Sequence, residues 1–256
     1  MKLPFVISLP HCSGRIPTRI RSGIRLTPME AADAIDLGIR EIFGGLPAFK
    51  VLCAQWSRLV VDLNRPSDQR HAKGPIALVD YHGRQVYRAD ALPDEEEITR
   101  RLSTYYEPYH RQLASAVETA HIKGLLDCHS LQGTGPAEAP DAGKRRYNIT
   151  LGNNGRPDGK KDPARGELTC TPAFMCFVRQ VFEGAGFSVS INFPYAGGFI
   201  VAHYGPGLAA KGKMALQIEI NQDLYVDPVT ENLVPGKAEK VKAEIFACLK
   251  KIGKAL

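Results

Sequence analysis

Two histidines stand at the ends of apolar runs. His129 closes Leu125-Leu126-Asp127-Cys128-His129-Ser130, and His11 follows Pro4-Phe5-Val6-Ile7-Ser8-Leu9-Pro10. Each run has the length and continuous apolar character of a buried strand. Strand ends in α/β sheets are where ligands gather. Two imidazoles delivered there suggest one metal site; the competing reading is that each is simply a satisfied polar group. Zinc takes imidazole and carboxylate ligands, and a catalytic zinc keeps one position for water. No H-E-x-x-H or H-x-x-E pattern accompanies the histidines, so a third ligand must come from another segment. Asp33, Asp36 and Asp127 are the candidates. Asp127 lies two residues from His129 and projects to the same face of an extended strand. That position suits orienting an imidazole from behind better than binding the same ion.

Other side chains could act on a substrate beside such a metal. Glu219 sits inside Ala215-Leu216-Gln217-Ile218-Glu219-Ile220. A carboxylate in an apolar strand must be paired, metal-bound or shifted in pKa. A raised pKa suits a general base near neutrality, whereas a structural reading makes it an edge-strand salt bridge. Asp62-Leu63-Asn64-Arg65 sets an amide and a guanidinium at the end of another apolar run, which Arg58 heads. Arginine can grip a carboxylate bidentately or stabilise an oxyanion, although it can also pair with Asp62. Gly197-Gly198-Phe199-Ile200 followed by His203-Tyr204 resembles a mobile loop closing onto a strand, with two hydrogen-bond donors for a substrate. Other chemistries are less well supplied. Gly152-Asn153-Asn154-Gly155 signals a turn and lacks a phosphate-loop pattern. Ser13 and Ser130 have no G-x-S-x-G setting. Cys12 and Cys128 point away from their neighbouring histidines along a strand.

Strands and helices alternate around these residues. Residues 4–10, 50–54, 58–63, 125–130, 147–151, 187–192, 198–203 and 215–220 read as strands. Thr27-Pro28-Met29-Glu30 is a helix start with a capping box. Ala31, Ala34, Ile35, Ile39, Ile42 and Phe43 extend that helix at helical spacing to Gly44-Gly45. A short hairpin is expected from Tyr81 to Tyr87, with His82-Gly83 as its turn. Acidic residues after Pro93 open a long helix that Pro108 should kink. Helices are also expected over 172–185, capped by Thr171, and from about Lys237 to Leu256. The 131–170 region is largely irregular, and such loops are often functional. The alternation predicts a mixed, largely parallel sheet with helices on both faces. No repeat, low-complexity tract or composition break divides it, so a single domain over residues 1–256 is expected.

Composition excludes several classes. The chain has 256 residues, 44% of them hydrophobic, and carries a net charge of +6. Its basic residues are scattered rather than striped, so nucleic acid is not expected as a partner. A small anionic substrate suits the charge better. Six cysteines without a C-x-x-C pair fit reduced thiols in a cytoplasmic setting. The apolar run after Met1 is too short to span a membrane, and no A-x-A cleavage pattern follows it. A soluble, unprocessed protein with no membrane partner is expected, and nothing in the sequence fixes its oligomeric state.

Seven segments together resemble the N-formylglutamate amidohydrolase (N-formylglutamate deformylase) family. They are Ser8-Leu9-Pro10-His11-Cys12-Ser13-Gly14 with Pro17, then Asp36, and Ser57-Arg58-Leu59-Val60-Val61-Asp62-Leu63-Asn64-Arg65-Pro66. Asp127-Cys128-His129-Ser130, Leu151-Gly152-Asn153-Asn154-Gly155, Gly197–Ile200 with His203-Tyr204-Gly205, and Gln217–Gln222 follow in order. The resemblance runs from about residue 5 to 225. It implies a zinc carboxypeptidase-like (phosphorylase/hydrolase-like) α/β fold, distantly similar to aspartoacylase, with one Zn2+ at the strand ends. His11 and His129 then match zinc ligands. The carboxypeptidase Glu three residues after the first histidine is Gly14 here, which leaves Asp36 as the implied third ligand. Glu219 is similar to the general base, and Asn64 and Arg65 to the pair that binds substrate and polarises its carbonyl. The family usually carries basic residues where Ala196 and Ala202 stand, and Pro-Asp where Arg146-Tyr147 stands. Arg146, Arg58, His203 and Tyr204 become candidates to hold substrate carboxylates. The implied activity is hydrolysis of a linear amide of a small N-acyl amino acid, N-formyl-L-glutamate first. A zinc carboxypeptidase or peptide amidase is the enzyme alternative, and an inactive relative that binds an acidic metabolite is the non-enzyme one.

Overall fold

The apolar runs assemble into one six-stranded sheet in the computed structural model, which describes residues 2–227 and 229–256. The strands are β1 (Leu3–Leu9), β2 (Ala48–Cys53), β3 (Gly124–Leu131), β4 (Ile149–Gly152), β5 (Val189–Ile191) and β6 (Met214–Asn221). Their order across the sheet is β2-β1-β3-β6-β4-β5. Every pairing is parallel except β4 with β6, which is antiparallel. All eight residues of β3 and all eight of β6 are buried. Parallel strands covered on both faces read as continuous apolar runs for this reason.

Eight α-helices are described. They are α1 (Thr18–Arg21), α2 (Pro28–Ala32), α3 (Ile39–Phe43), α4 (Glu95–Arg101), α5 (Glu107–Val117), α6 (Pro172–Glu183), α7 (Phe199–Ala209) and α8 (Pro235–Lys254). α3, α6 and α8 pack together in one set, and α5 and α7 in another. Each set meets the sheet, α8 on β1 and α7 on β6 among them. Among the described residues, no helix is long and apolar enough to cross a membrane.

Three sequence expectations fail here, each for a tertiary reason. The first helix is not continuous: α2 ends at Ala32 and α3 begins at Ile39. The capping box forms as expected, with Glu30 and Thr27 bonded reciprocally. Gly38, at φ 76°, then turns the chain against the ring of Tyr225. The intervening residues serve other contacts: Asp33 pairs with Arg84 at 2.7 Å, and the Asp36 N–H donates to the His11 carbonyl at 3.0 Å. Those contacts outweigh a weak local helix preference. Secondly, residues 58–63 form no strand. The N–H groups of Val60 and Val61 return to the Ser57 carbonyl, and Leu59 N–H donates to the Ser57 hydroxyl. The apolar side chains are buried in this turn rather than in a sheet.

Thirdly, the expected strand 198–203 is the start of helix α7. A short, wholly apolar run does not separate a buried strand from a buried helix. Gly198 takes the N-cap position, and a Cβ there would collide with the Asn64 amide. The Pro108 irregularity appears as a π-helical stretch, Leu102–Tyr106, just before α5. The Tyr81–Tyr87 hairpin is reduced to isolated bridges around a turn, Val79 with Gln85 and Ile24 with Tyr87.

Gly38 carries a testable consequence. A β-carbon at that φ is strained by about 1–3 kcal/mol before any clash. Gly38→Val should therefore lower the melting temperature by several degrees, read by thermal denaturation. Unchanged melting would mean that the break between α2 and α3 is held without it.

Candidate functional site

β1, β3 and β6 lie side by side in the sheet, and their C-terminal ends deliver the chemistry. His11 follows the end of β1, His129 lies near the end of β3, and Glu219 faces His129 in register on β6. Asp36 enters from the break between α2 and α3. His11, Asp36 and His129 each offer one ligand atom, and these atoms lie within 4.8 Å of one another. All three residues are buried.

The two imidazoles are arranged alike. Each turns Nδ1 toward the same oxygen, Asp36 Oδ2, at 2.9 Å from His129 and 3.7 Å from His11. Each gives Nε2 to an outer carboxylate: Asp62 Oδ1 at 2.8 Å for His11, and Asp127 Oδ2 at 3.0 Å for His129. A carboxylate on the outer nitrogen fixes the tautomer that leaves the inner lone pair for a metal. Two imidazoles and a carboxylate are also a donor set that zinc accepts. The residues therefore fit a metal.

The outer carboxylates are themselves held. Asp127, fully buried, takes hydrogen bonds from Ser8 Oγ at 2.8 Å and Asn64 Nδ2 at 3.1 Å. Asp62 takes the Arg58 guanidinium at 2.5 Å and the Asn64 N–H at 2.9 Å. Burial alone would raise the Asp62 and Asp36 carboxyls. Arg58 and His11 nevertheless hold Asp62 well below the ordinary carboxylate range, and the two imidazoles hold Asp36 below it. Burial also opposes a charged imidazole at His129, yet Asp127 and Asp36 carry it well above its ordinary value.

Glu219 lies on the other side of the electrostatic balance. Burial pushes its carboxyl from 4.5 up to about 7. One oxygen accepts from Gln217 Nε2 at 2.8 Å, and Gln217 Oε1 in turn accepts the Gly198 N–H at 2.6 Å. This glutamine escaped the sequence reading. The signal was its spacing: residues two apart on a strand share a face. Asp62, read there only as an arginine partner, proves to be the residue that fixes His11.

The remaining candidates divide. Arg65 has the most open guanidinium: its side chain is 43% exposed, and Asp62 is 3.9 Å away. Asn64 is engaged on both sides, with Nδ2 on Asp127 and Oδ1 accepting the Ile200 N–H at 2.8 Å. Arg146 has a buried guanidinium fork held by both oxygens of Asp141, at 2.7 and 2.8 Å. His203 and Tyr204, expected on a strand, lie on α7. His203 is exposed and stacks on Phe199, while the Tyr204 hydroxyl lies 3.0 Å from His110 Nδ1. Neither hydrogen-bonds to His11, His129 or Asp36 among the described residues. His110 and Tyr106 help line a separate cavity of about 400 Å³.

Glu219 links the site to stability. Its folded pKa lies above the ordinary 4.5, so its contribution is fully present below pH 4.5 and lost as pH rises through about 7. The loss is of order 3 kcal/mol (about) in metal-free protein. Glu219→Gln should thus melt higher than the parent at pH 8 and much like it near pH 4.5. Parallel melting of the two proteins at both pH values would refute the buried charge.

Known proteins match this architecture. The profile of the N-formylglutamate amidohydrolase family covers residues 3–226. The chain is 30% identical over 246 residues to the N-formylglutamate deformylase of Pseudomonas aeruginosa, covering 88% of this chain and 83% of that protein. It is 28% identical over 242 residues to the N-formylglutamate deformylase of Pseudomonas putida, with the same coverage of 88% and 83%. The crystal structure of N-formylglutamate amidohydrolase from Ralstonia eutropha JMP134 shares the fold, with a TM-score of 0.80 and 23% identity over 99% of this chain and 94% of that one.

Proposed function

Because the chain belongs to the N-formylglutamate amidohydrolase family, we propose that it is a zinc-dependent enzyme that hydrolyses N-formyl-L-glutamate to formate and L-glutamate. The observation that carries this reading is the shared Asp36 oxygen between two carboxylate-backed imidazoles, with a protonatable Glu219 in register beside His129. Residues 1–256 act as one domain in this reading, supported by a core that runs from Leu3 to Ile252. A small anionic N-acyl amino acid is the partner, and the cytoplasm is the proposed location.

A zinc ion held by His11, Asp36 and His129 would supply Lewis-acid polarisation of the formyl carbonyl and acidify a water. Glu219, in register beside His129, takes a proton from the attacking water and returns it to the leaving amine. Water adds to the formyl carbon, the C–N bond breaks, and the amine leaves protonated. Arg65, the open guanidinium, donates to the oxygen that becomes negative in the transition state. Arg58 and Asp62 keep His11 oriented, and Asn64 does the same for His129 through Asp127. The Arg58, Asn64, Arg146 and Tyr204 donors are already engaged, on Asp62, Asp127, Asp141 and His110, while His203 keeps an exposed ring.

Three measurements test this. Metal analysis should find one zinc per chain, lost in His129→Ala; no bound metal and no hydrolysis of any N-formyl amino acid would sink the proposal. Glu219→Gln should keep its zinc and lose about 10²–10⁴-fold in kcat. Asp62→Asn should weaken zinc binding about 10–100-fold, read by competition with a chelator. An unchanged zinc affinity would show that His11 does not depend on its outer carboxylate.

A further inference from the structure

Tyr81 stands on a turn that the mechanism above does not use. The turn is rigidly built. Asp80 Oδ1 accepts the N–H groups of His82 at 2.9 Å and Arg84 at 2.8 Å, and Gly83 takes the left-handed conformation at φ 77°. Asp80 Oδ2 also pairs with Arg84 Nε at 2.6 Å, and the same guanidinium reaches Asp33 at 2.7 Å. Asp33 lies three residues before Asp36. The turn is thus braced against the segment that supplies the third ligand.

The Tyr81 ring is half-buried and meets Tyr195 edge-on, with centroids 6.4 Å apart. The Tyr195 hydroxyl accepts from Arg146 Nη2 at 3.2 Å. The Arg146 carbonyl is held by Asn221 Nδ2 at 3.1 Å, and Asn221 lies two residues beyond Glu219 on β6. At about 3.3 Å per residue, that wall stands roughly 7 Å further along the strand than the base. The phenol feels the charges of Arg146, Glu219, Arg58 and Asp141. The Tyr81 hydroxyl has no hydrogen bond to any described residue, and no side-chain oxygen is buried without a partner. It is therefore accessible, beside the Tyr195 ring that Arg146 holds. Burial raises the phenol to about 12, so it is a donor throughout the neutral range.

The guanidinium forks of Arg58 and Arg146 already hold Asp62 and Asp141. Neither therefore offers a free fork in this space. A carboxylate entering it needs a donor from elsewhere, and Tyr81 is the open one. We propose that Tyr81 is a specificity-determining residue whose hydroxyl donates to the side-chain carboxylate of the substrate, with Tyr195 and Arg146 as the wall behind it. This rests on the hydrolase reading for the direction in which the substrate lies. The formyl group sits at the metal ligands beside Glu219, so the glutamyl side chain extends toward the wall, which an alanyl side chain does not reach.

The test compares the zinc-loaded parent with Tyr81→Phe, which keeps the ring and the turn. Turnover of N-formyl-L-glutamate and of N-formyl-L-alanine is measured alongside calorimetric binding of L-glutamate. A hydrogen bond to a charged group is worth about tenfold or more in affinity. KM for N-formyl-L-glutamate should therefore rise by about tenfold, with kcat within about twofold. Values for N-formyl-L-alanine should not move, and L-glutamate should bind about tenfold more weakly. Equal L-glutamate affinity in the two proteins, including no binding in either, overturns the assignment. So does a fall in kcat at constant KM, which would place the hydroxyl at the reacting carbonyl. A parent that hydrolyses no N-formyl-L-glutamate defeats the proposed function instead, while the calorimetric comparison still decides the role of Tyr81.

Discussion

One carboxylate oxygen between two buried imidazoles is the constraint on which the rest depends. Asp36 Oδ2 lies within reach of Nδ1 of both His11 and His129. Three polar side chains concentrated in a dry place are costly unless each atom has a partner. The protein meets that cost by a second layer of carboxylates. Asp62 and Asp127 bind the outer nitrogens, and Arg58, Ser8 and Asn64 satisfy those carboxylates in turn. The polar network is continuous, and among the described residues it leaves no buried side-chain nitrogen or oxygen unpaired.

The layer reaches beyond the ligands. Asn64 joins Asp127 to the start of α7 through the Ile200 N–H, while Gln217 joins Glu219 to the same helix start through the Gly198 N–H. The first turn of α7 therefore sits between Glu219 and the histidine support. Two opposite pKa shifts coexist within this small volume. Asp36 is held charged by the imidazoles it touches, whereas Glu219 has only an amide at hand and follows its burial upward. Environments that push two carboxyls apart in this way separate a ligand from a base.

Much of this was legible in the sequence, and the illegible parts share a cause. β1, β3 and β6 announce themselves as apolar runs because the sheet is covered on both faces. His11, His129 and Glu219 follow as polar residues at or near the ends of those runs. Asp36 was one of three candidate aspartates, and only the family resemblance singled it out, since local spacing placed it inside a helix. The contact of Gly38 with Tyr225, which lies 187 residues away, accompanies the break. Residues 58–63 and 198–203 were misread as strands because a short apolar run signals burial and not conformation. Gln217 and Tyr81 were given no role because their importance lies in what they face, which only the fold supplies.

The ligand-bearing side chains come from chain positions 11, 36 and 129, on two strand ends and a helix break. No short stretch of the unfolded polypeptide contains the whole chelate. An ion that prefers this triad thus has little competing affinity for the disordered chain, and mass action converts its binding directly into resistance to unfolding. With an ion bound there, free metal concentration would become a thermodynamic lever on the whole sheet. Without such an ion the same chain would be more easily opened by proteases, so its abundance would follow the supply of that ion.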